Sequence, residues 1–373
     1  MNFVIAAGGT GGHLFPGLAV GEVLLQRGHA VMLLISEKEI DSLATRGRTD
    51  FLIERVRGVG LDGKSPLALL RFWAQFRSGL KQVKGLFREF SPAAVLGMGG
   101  FTSTGPILAG RLRKIPTFVH ESNAIPGKAN KLNARLAKRV LLGFSECAKH
   151  FGPGKCEVTG TPIRRSLVER IPRAEAIEAF GLSPDRRTLL VMGGSQGARG
   201  INNAVVDALP QLRSKHVQVI HLTGRDDEAT VREKFSQSGV PAFIAPFWHK
   251  MEIAYSAADF CIARSGAASL TELAHFTLPS ILIPYPFAAE DHQTLNAQIF
   301  ERAGAATLVP QSGLADDALA RLLIRFIDEP SCLSEMAAKC AVLAPKDAAE
   351  NVADAVLKSC APPKRQPSTT KPV

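Results

Sequence analysis

The chain has 373 residues, 46% hydrophobic and 21% charged, which excludes wholesale disorder and suits two domains better than one core. Its formal charge of +11 points to an anionic partner: nucleic acid, an anionic membrane surface or phosphorylated ligands. The six cysteines, Cys147, Cys156, Cys261, Cys332, Cys340 and Cys360, form no CxxC pair and no Cys/His cluster of zinc spacing, as in a reducing compartment.

The first apolar run, Phe3–Ala7, is a short strand ending in glycines, too brief for a signal peptide. No window approaches the roughly 18–20 apolar residues of a bilayer span. Further strands are predicted at Val31–Ile35, Phe51–Ile53, Ala93–Leu96, Thr117–Val119 and Val140–Leu142. A second series follows at Thr188–Met192, Val217–Leu222, Ala242–Ala245, Phe260–Ala263, Ser280–Ile283 and Ala306–Val309. Helix-patterned segments separate them, the signature of parallel sheets built from βαβ units.

Residues 3–13, FVIAAGGTGGH, are echoed by 189–199, LLVMGGSQGAR, and more weakly by 96–103, LGMGGFTS. Each is a buried strand running into a glycine turn and a helix, so two doubly wound domains are expected, each with its own ligand-facing loop. The expected division is 1–162 and 163–345, with the boundary in GTPIRRSLVERIP (160–172). A helix within 346–360 packs back across the domains, and 361–373 is a basic, Pro/Ser/Thr-rich disordered tail.

The glycine turns let a ligand approach the backbone, and a helix N-terminus behind each attracts phosphate. Neither has the GxGxxG spacing of dinucleotide sites or the GxxxxGK[ST] of a P-loop, which disfavours NAD chemistry and ATP hydrolysis. His13 closes the first loop, and two readings stand: local capping and packing, or a general base for a hydroxyl nucleophile. In ARSGAASLTELAHFTLPSILIP (263–284) a strand ends at Arg264, and Ser265 and Gly266 turn into a helix able to hold a diphosphate. Glu272 further along is either a solvated helix residue or an acceptor for vicinal ribose hydroxyls. In AAEDHQTLNAQ (288–298), Asp291, Gln293 and Asn296 either read sugar hydroxyls or decorate an exposed helix start. No DxD motif offers a metal site, so helix dipoles and arginines such as Arg164 and Arg199 would neutralise a leaving diphosphate. Residues 65–90 mix Leu69, Leu70, Phe72, Trp73 and Phe76 with Arg71, Arg77, Lys81, Lys84 and Arg88. This is a membrane-surface helix or a core helix with basic flanks.

Together GGTGGHLFPGLAV (8–20), GMGGFTS (97–103), HESNAIPGKANK (120–131), GTPIR (160–164), GGSQGAR (193–199), RSGAASLTE (264–272) and DHQTLNA (291–297) resemble glycosyltransferase family 28 over nearly the whole chain to about residue 360. The resemblance implies a GT-B fold, α/β, with two Rossmann-like doubly wound parallel-sheet domains facing a central cleft. It implies metal-independent, cofactor-free, inverting transfer of GlcNAc from UDP-GlcNAc to the MurNAc C4 hydroxyl of undecaprenyl-linked lipid I in peptidoglycan synthesis. His13 is then the candidate base. The donor residues implied are Thr10, Gly11, Gly12, Asn123, Arg164, Ser195, Gln196, Gly197, Trp248, Met251, Arg264, Gly266, Ala267, Ala268, Ser269, Glu272, Gln293 and Asn296. Glu272 takes the ribose, Gln293 and Asn296 the GlcNAc, and backbone near Phe247–Met251 the uracil. Gly8, Gly9, Gly99, Gly100, Phe101, His120 and Glu121 fall on the acceptor side. The glycines of 8–12 and 99–100 face the acceptor diphosphate, and Asn123 lies beside the acceptor. Leu69, Phe72, Trp73 and Phe76 form a membrane patch for a peripheral protein on the anionic cytoplasmic face of the inner membrane. No nucleic-acid partner is implied, and cell-wall synthesis proteins are the candidate protein partners. Ser122, Thr161 and Ala268 depart from the family's usual residues, which affects supporting contacts and leaves His13, Arg164 and Glu272 untouched.

Two rival readings are weighed. A related GT-B enzyme acting on diacylglycerol or another lipid acceptor would share the donor half, Ser195 to Asn296, but not the GGTGGH and HESN segments. A non-catalytic membrane-surface or nucleic-acid-binding protein would leave the twin glycine loops and Glu272 unexplained.

Overall fold

A computed structural model describes residues 1–38, 41–42, 45–56, 65–194, 197–314 and 317–360. The expected basic tail, 361–373, lies outside the described residues. The chain divides into two compact units. One comprises Met1–His120, Ala129–Val140 and the segment beginning at Ala349; the other comprises Glu121–Lys128 and Leu141–Ala348.

The first sheet is built from β1 (Asn2–Ala6), β2 (Ala30–Ile35), β3 (Leu52–Arg55), β4 (Ala94–Gly97), β5 (Thr117–Glu121), β6 (Arg139–Leu142) and β7 (Cys156–Val158), in the order β3-β2-β1-β4-β5-β6-β7. The β1–β2, β1–β4, β2–β3 and β4–β5 pairings are parallel. Among them run α1 (Gly11–Gln26), α2 (Pro66–Phe90), α3 (Thr104–Leu112) and α4 (Lys128–Leu136). β1 and β4 are buried throughout their apolar runs, as parallel strands covered on both faces must be. All six strands expected in this half are present within a residue or two. β7 was not anticipated: three residues, one charged, half exposed at the sheet edge, carry no alternation to read.

α2 starts where the Ser65 hydroxyl accepts the Ala68 N–H at 3.2 Å and stops at Ser91, whose φ of 50° breaks the helix. Its C-terminal half drives Val83 and Phe87 into a core with Val4, Ala6 and Val95. Its N-terminal half leaves Leu67, Leu69, Leu70 and Trp73 exposed, Trp73 by 55%. The core reading holds for the C-terminal half, and the N-terminal half is exposed.

The second sheet runs β10-β9-β8-β11-β12-β13, with β8 (Arg187–Met192), β9 (Val217–Leu222), β10 (Ala242–Ala245), β11 (Phe260–Ala263), β12 (Ser280–Leu282) and β13 (Ala306–Leu308), and all its pairings are parallel. The helices of this unit are α5 (Arg173–Glu178), α6 (Arg199–Leu212), α7 (Glu228–Ser238), α8 (Met251–Ala257), α9 (Ala267–His275), α10 (His292–Arg302), α11 (Ala318–Asp328) and α12 (Pro330–Leu343). Its strands match the six expected. The final helix, α13 (Ala348–Lys358), packs on the first unit: Arg27 Nη1 donates to Asp354 Oδ1 at 2.5 Å, and Val352 and Val356 are buried. Among the described residues no helix is long and apolar enough to cross a membrane.

One buried polar network braces the second unit. Asn202 on α6 donates from Nδ2 to Thr223 O and to Asp227 Oδ2, so its Oδ1 is the acceptor for His221 Nε2–H at 2.9 Å. Burial pushes the His221 imidazole down to about 3, against the weaker pull of Asp227. The folded chain therefore holds His221 neutral, while the unfolded chain protonates it below its ordinary value of 6.5. Stability from this residue is complete above pH 6.5 and falls by about 1.4 kcal/mol per pH unit as pH drops from there toward about 3. Urea unfolding of His221→Gln across that range should show a slope reduced by about one proton relative to the wild type; equal slopes would refute the assignment.

Candidate active site

In the first sheet the strand order turns back between β1 and β4, whose ends lie side by side with Ala6 opposite Gly97. Both strands run into glycine turns there. His13 stands in the first turn of α1, with its Nδ1 3.1 Å from Thr10 Oγ1. Its ring lies on the second turn: at Gly99, where φ is +119°, a Cβ would stand 2.7 Å from His13 Nε2. Only glycine lets the β4 turn pass under the imidazole. Gly100 follows against the same ring, and Ser103 Oγ secures the turn by donating to Gly100 O at 2.7 Å. Phe101 is 48% exposed beside it. His120 is fully buried, its carbonyl accepting from Asn130 Nδ2.

A residue outside the expected set holds the first loop. Asp41, fully buried just past β2, accepts at Oδ2 from Gly9 N–H (2.8 Å), Ser36 N–H (2.9 Å) and Ser36 Oγ–H (2.5 Å). Lys38 Nζ donates to Gly9 O at 2.9 Å. The loop's shape is thus set by a carboxylate rather than by its glycines alone. The available signal was an acid just beyond the strand next to β1, where doubly wound sheets bring side chains back to the first loop.

The second sheet repeats the arrangement between β8 and β11, with Met192 opposite Ala263. After β8, Gly197 adopts φ +74°, and a Cβ there would sit 2.2 Å from Thr223 O. Ser195 and Gln196, the middle of this loop, lie outside the described residues. After β11, Gly266 caps α9, and a Cβ on it would meet nothing within 4 Å. The amides of Ala267, Ala268 and Ser269 stand in the first turn of α9, where helix N–H groups have no intrahelical acceptors.

Glu272 sits on α9 with its side chain 13% exposed, accepting from Tyr255 Oη–H at 2.7 Å and facing Arg164 Nη2 at 3.6 Å. Burial raises the Glu272 carboxyl above the ordinary carboxylate range, opposed by Arg164 and the Tyr255 hydroxyl. Burial, with the Glu272 charge added, likewise pushes the Tyr255 phenol well up, so it stays a proton donor. Arg164 and Glu272, 108 positions apart in sequence, are brought together; Tyr255 is a partner that sequence reasoning missed.

Other expected residues serve the backbone. Asn296, fully buried, accepts Ala124 N–H at 2.8 Å and donates to Asn123 Oδ1 at 3.1 Å and Ser265 O at 3.2 Å. Gln293 Oε1 accepts from Ser265 N–H (3.3 Å) and Tyr285 N–H (2.9 Å), while its Nε2 donates to no described residue. Arg264 donates to Ile283 O, Pro284 O and Gln311 Oε1, clamping the β12 exit. Glu121 receives Asn123 N–H, Asn123 Nδ2–H and Gly127 N–H, shaping the loop that carries Asn123. Trp248 packs with Phe180 and Phe243 at 5.1 and 5.2 Å, and Met251 is buried; Phe247, His249 and Lys250 are exposed.

Residues 3–142 match the glycosyltransferase family 28 N-terminal domain and residues 188–352 its C-terminal domain. The chain is 38% identical over 358 residues to the UDP-N-acetylglucosamine–N-acetylmuramyl-(pentapeptide) pyrophosphoryl-undecaprenol N-acetylglucosamine transferase of Geotalea uraniireducens, covering 95% of this chain and 97% of that one. The enzyme of the same description from Syntrophus aciditrophicus is also 38% identical, over 366 residues, with 96% and 98% covered. Among solved structures, Acinetobacter baumannii MurG superposes with a TM-score of 0.76 at 26% identity, covering 96% of this chain and 99% of that one.

The Asp41 clamp has a measurable consequence. Asp41→Ala strands the buried donors of Gly9 and Ser36 and should lower unfolding free energy by about 2–3 kcal/mol. A urea midpoint unchanged from the wild type would show that the loop holds its shape without this carboxylate.

Proposed function

The chain belongs to glycosyltransferase family 28, and from that membership we infer that it moves GlcNAc from UDP-GlcNAc to the C4 hydroxyl of MurNAc in lipid I, giving lipid II with inversion. The observation that carries this reading is the 38% identity to transferases of that description along 95% of the chain, so that acceptor and donor halves are matched together. A transferase to diacylglycerol would need to share only the donor half.

The chemistry is an in-line displacement at the anomeric carbon. The acceptor oxygen bonds to C1 as the bond from C1 to the UDP oxygen breaks, and the hydroxyl proton passes to His13. Thr10 at Nδ1 orients the imidazole, with Nε2 as the accepting nitrogen. Gly8 to Gly12, Gly99, Gly100 and Phe101 face the acceptor diphosphate. On the donor side the open amides of Ala267, Ala268 and Ser269, with Arg164, meet the charge developing on UDP. Glu272, oriented by Tyr255, takes the ribose hydroxyls. Gln293 meets GlcNAc through Nε2, and Asn296 acts by holding Asn123 and the Ser265 turn in place. The exposed apolar half of α2, ringed by Arg71, Arg77 and Lys81, seats the protein peripherally on the cytoplasmic face of the membrane.

UDP release from UDP-GlcNAc should depend on a lipid I analogue, and His13→Ala should lower kcat by about 10²–10⁴-fold with little change in the KM for UDP-GlcNAc. Undiminished turnover would remove His13 as the base, and release dependent on diacylglycerol would overturn the acceptor. Separately, Trp73→Glu with Phe76→Glu should reduce partitioning onto vesicles containing anionic lipid by about tenfold or more. Equal partitioning of variant and wild type would assign these side chains another role.

A further inference from the structure

Both backbone polar groups of Gly9 are taken by the segment that follows β2. Gly9 N–H donates to Asp41 Oδ2 at 2.8 Å, and Gly9 O accepts from Lys38 Nζ at 2.9 Å. Asp41 is fully buried, and two further bonds from Ser36 fix its Oδ2 in place. Gly8 lets the carboxylate reach the loop, since a Cβ on it would stand 2.9 Å from Asp41 Oδ2 and 2.3 Å from Ser36 N. Gly9 itself, at φ +105°, then turns the chain into Thr10.

Thr10 carries this geometry to the imidazole of His13. Its carbonyl starts α1 by accepting the N–H groups of His13 and Leu14, at 3.1 and 3.0 Å. Its hydroxyl oxygen lies 3.1 Å from His13 Nδ1. Only Gly9 and Thr10 therefore stand between the carboxylate and the ring, and on its other side the ring meets Gly99 and Gly100. In dinucleotide-binding sheets an acid just past this strand receives ribose hydroxyls; here it is buried beneath the loop and bonded to it. Gly9 N–H is likewise spent inside the protein. Gly11 and Gly12, in the first turn of α1, carry the amides that lack intrahelical acceptors.

We propose that Asp41 is a positioning residue for the transfer: by holding Gly9 it places the His13 imidazole and the Gly11 and Gly12 amides that meet the acceptor diphosphate. The proposal rests on reading the protein as a lipid I transferase with His13 as base. It adds a residue that touches no reacting atom and acts on the acceptor side alone. Misplacing a reacting group by about 1 Å costs on the order of a hundredfold in rate.

Asp41→Ala, Asp41→Asn and Ser36→Ala are compared in the full chain, with UDP-GlcNAc and a short-chain lipid I analogue. Asp41→Ala should lower kcat about a hundredfold and raise the KM for the acceptor about tenfold, with the KM for UDP-GlcNAc unchanged. Asp41→Asn keeps an oxygen for Gly9 N–H, a weaker acceptor than a carboxylate, and should lose only about tenfold in kcat. Ser36→Ala removes a buried hydrogen bond to the same carboxylate and spares the one from Gly9. It should lower the thermal midpoint and leave the kinetics unchanged, so lost stability alone does not imitate the effect. Equal kinetic losses in Ser36→Ala and Asp41→Ala, wild-type kinetics in both Asp41 variants, or a KM for UDP-GlcNAc raised as much as that for the acceptor would overturn the positioning role and leave the transferase reading standing. If Asp41→Ala does not fold, Asp41→Asn decides by the same measures. A wild type that transfers to no lipid I analogue would overturn both.

Discussion

Parallel strands that leave a sheet toward opposite faces open a crevice at their carboxyl ends, and each sheet of this chain has one such place, between β1 and β4 and between β8 and β11. The strands there are buried on both faces and cannot shift, so the loops that follow begin from fixed points. Each crevice brings two turns together with a helix N-terminus behind. His13 lies on Gly99 in one, and the Gly197 loop and the α9 amides share the other. A backbone so arranged offers hydrogen-bond donors to anions in advance.

Carboxylates play the complementary part. Asp41 and Glu121 each accept several hydrogen bonds from neighbouring loop groups, and Glu272 is held by Tyr255 and Arg164. A buried carboxylate surrounded by amide donors is stable where an unpaired one would not be. These acids convert glycine-rich segments, which lose much entropy on ordering, into defined surfaces. The site is built with acids as its frame and amides as its face.

The sheets were legible in the sequence because buried parallel strands are short apolar runs, and their glycine turns interrupt those runs at recognisable places. β7 escaped because three half-exposed residues carry no period. α2 could not be assigned to core or surface since its amphipathic pattern continues while its surroundings change midway. The site was legible by position more than by partner. The motifs put Asn296 and Arg264 near the turn after β11, but did not show that their side chains would clasp carbonyls and amides. Asp41 and Tyr255 had no motif at all, because their partners are reached only through the tertiary fold.

Asn296 joins Ala124, 172 positions earlier, to the carbonyl of Ser265. Such a link has no counterpart in a partly synthesised chain, where loop closure over that span has yet to be made. On the ribosome the first crevice can take shape as soon as β4 and its turn emerge, whereas the turn after β11 must wait for α10. Chain growth itself thus imposes an order on the two crevices, although the first unit is completed only when α13 has emerged to pack on it.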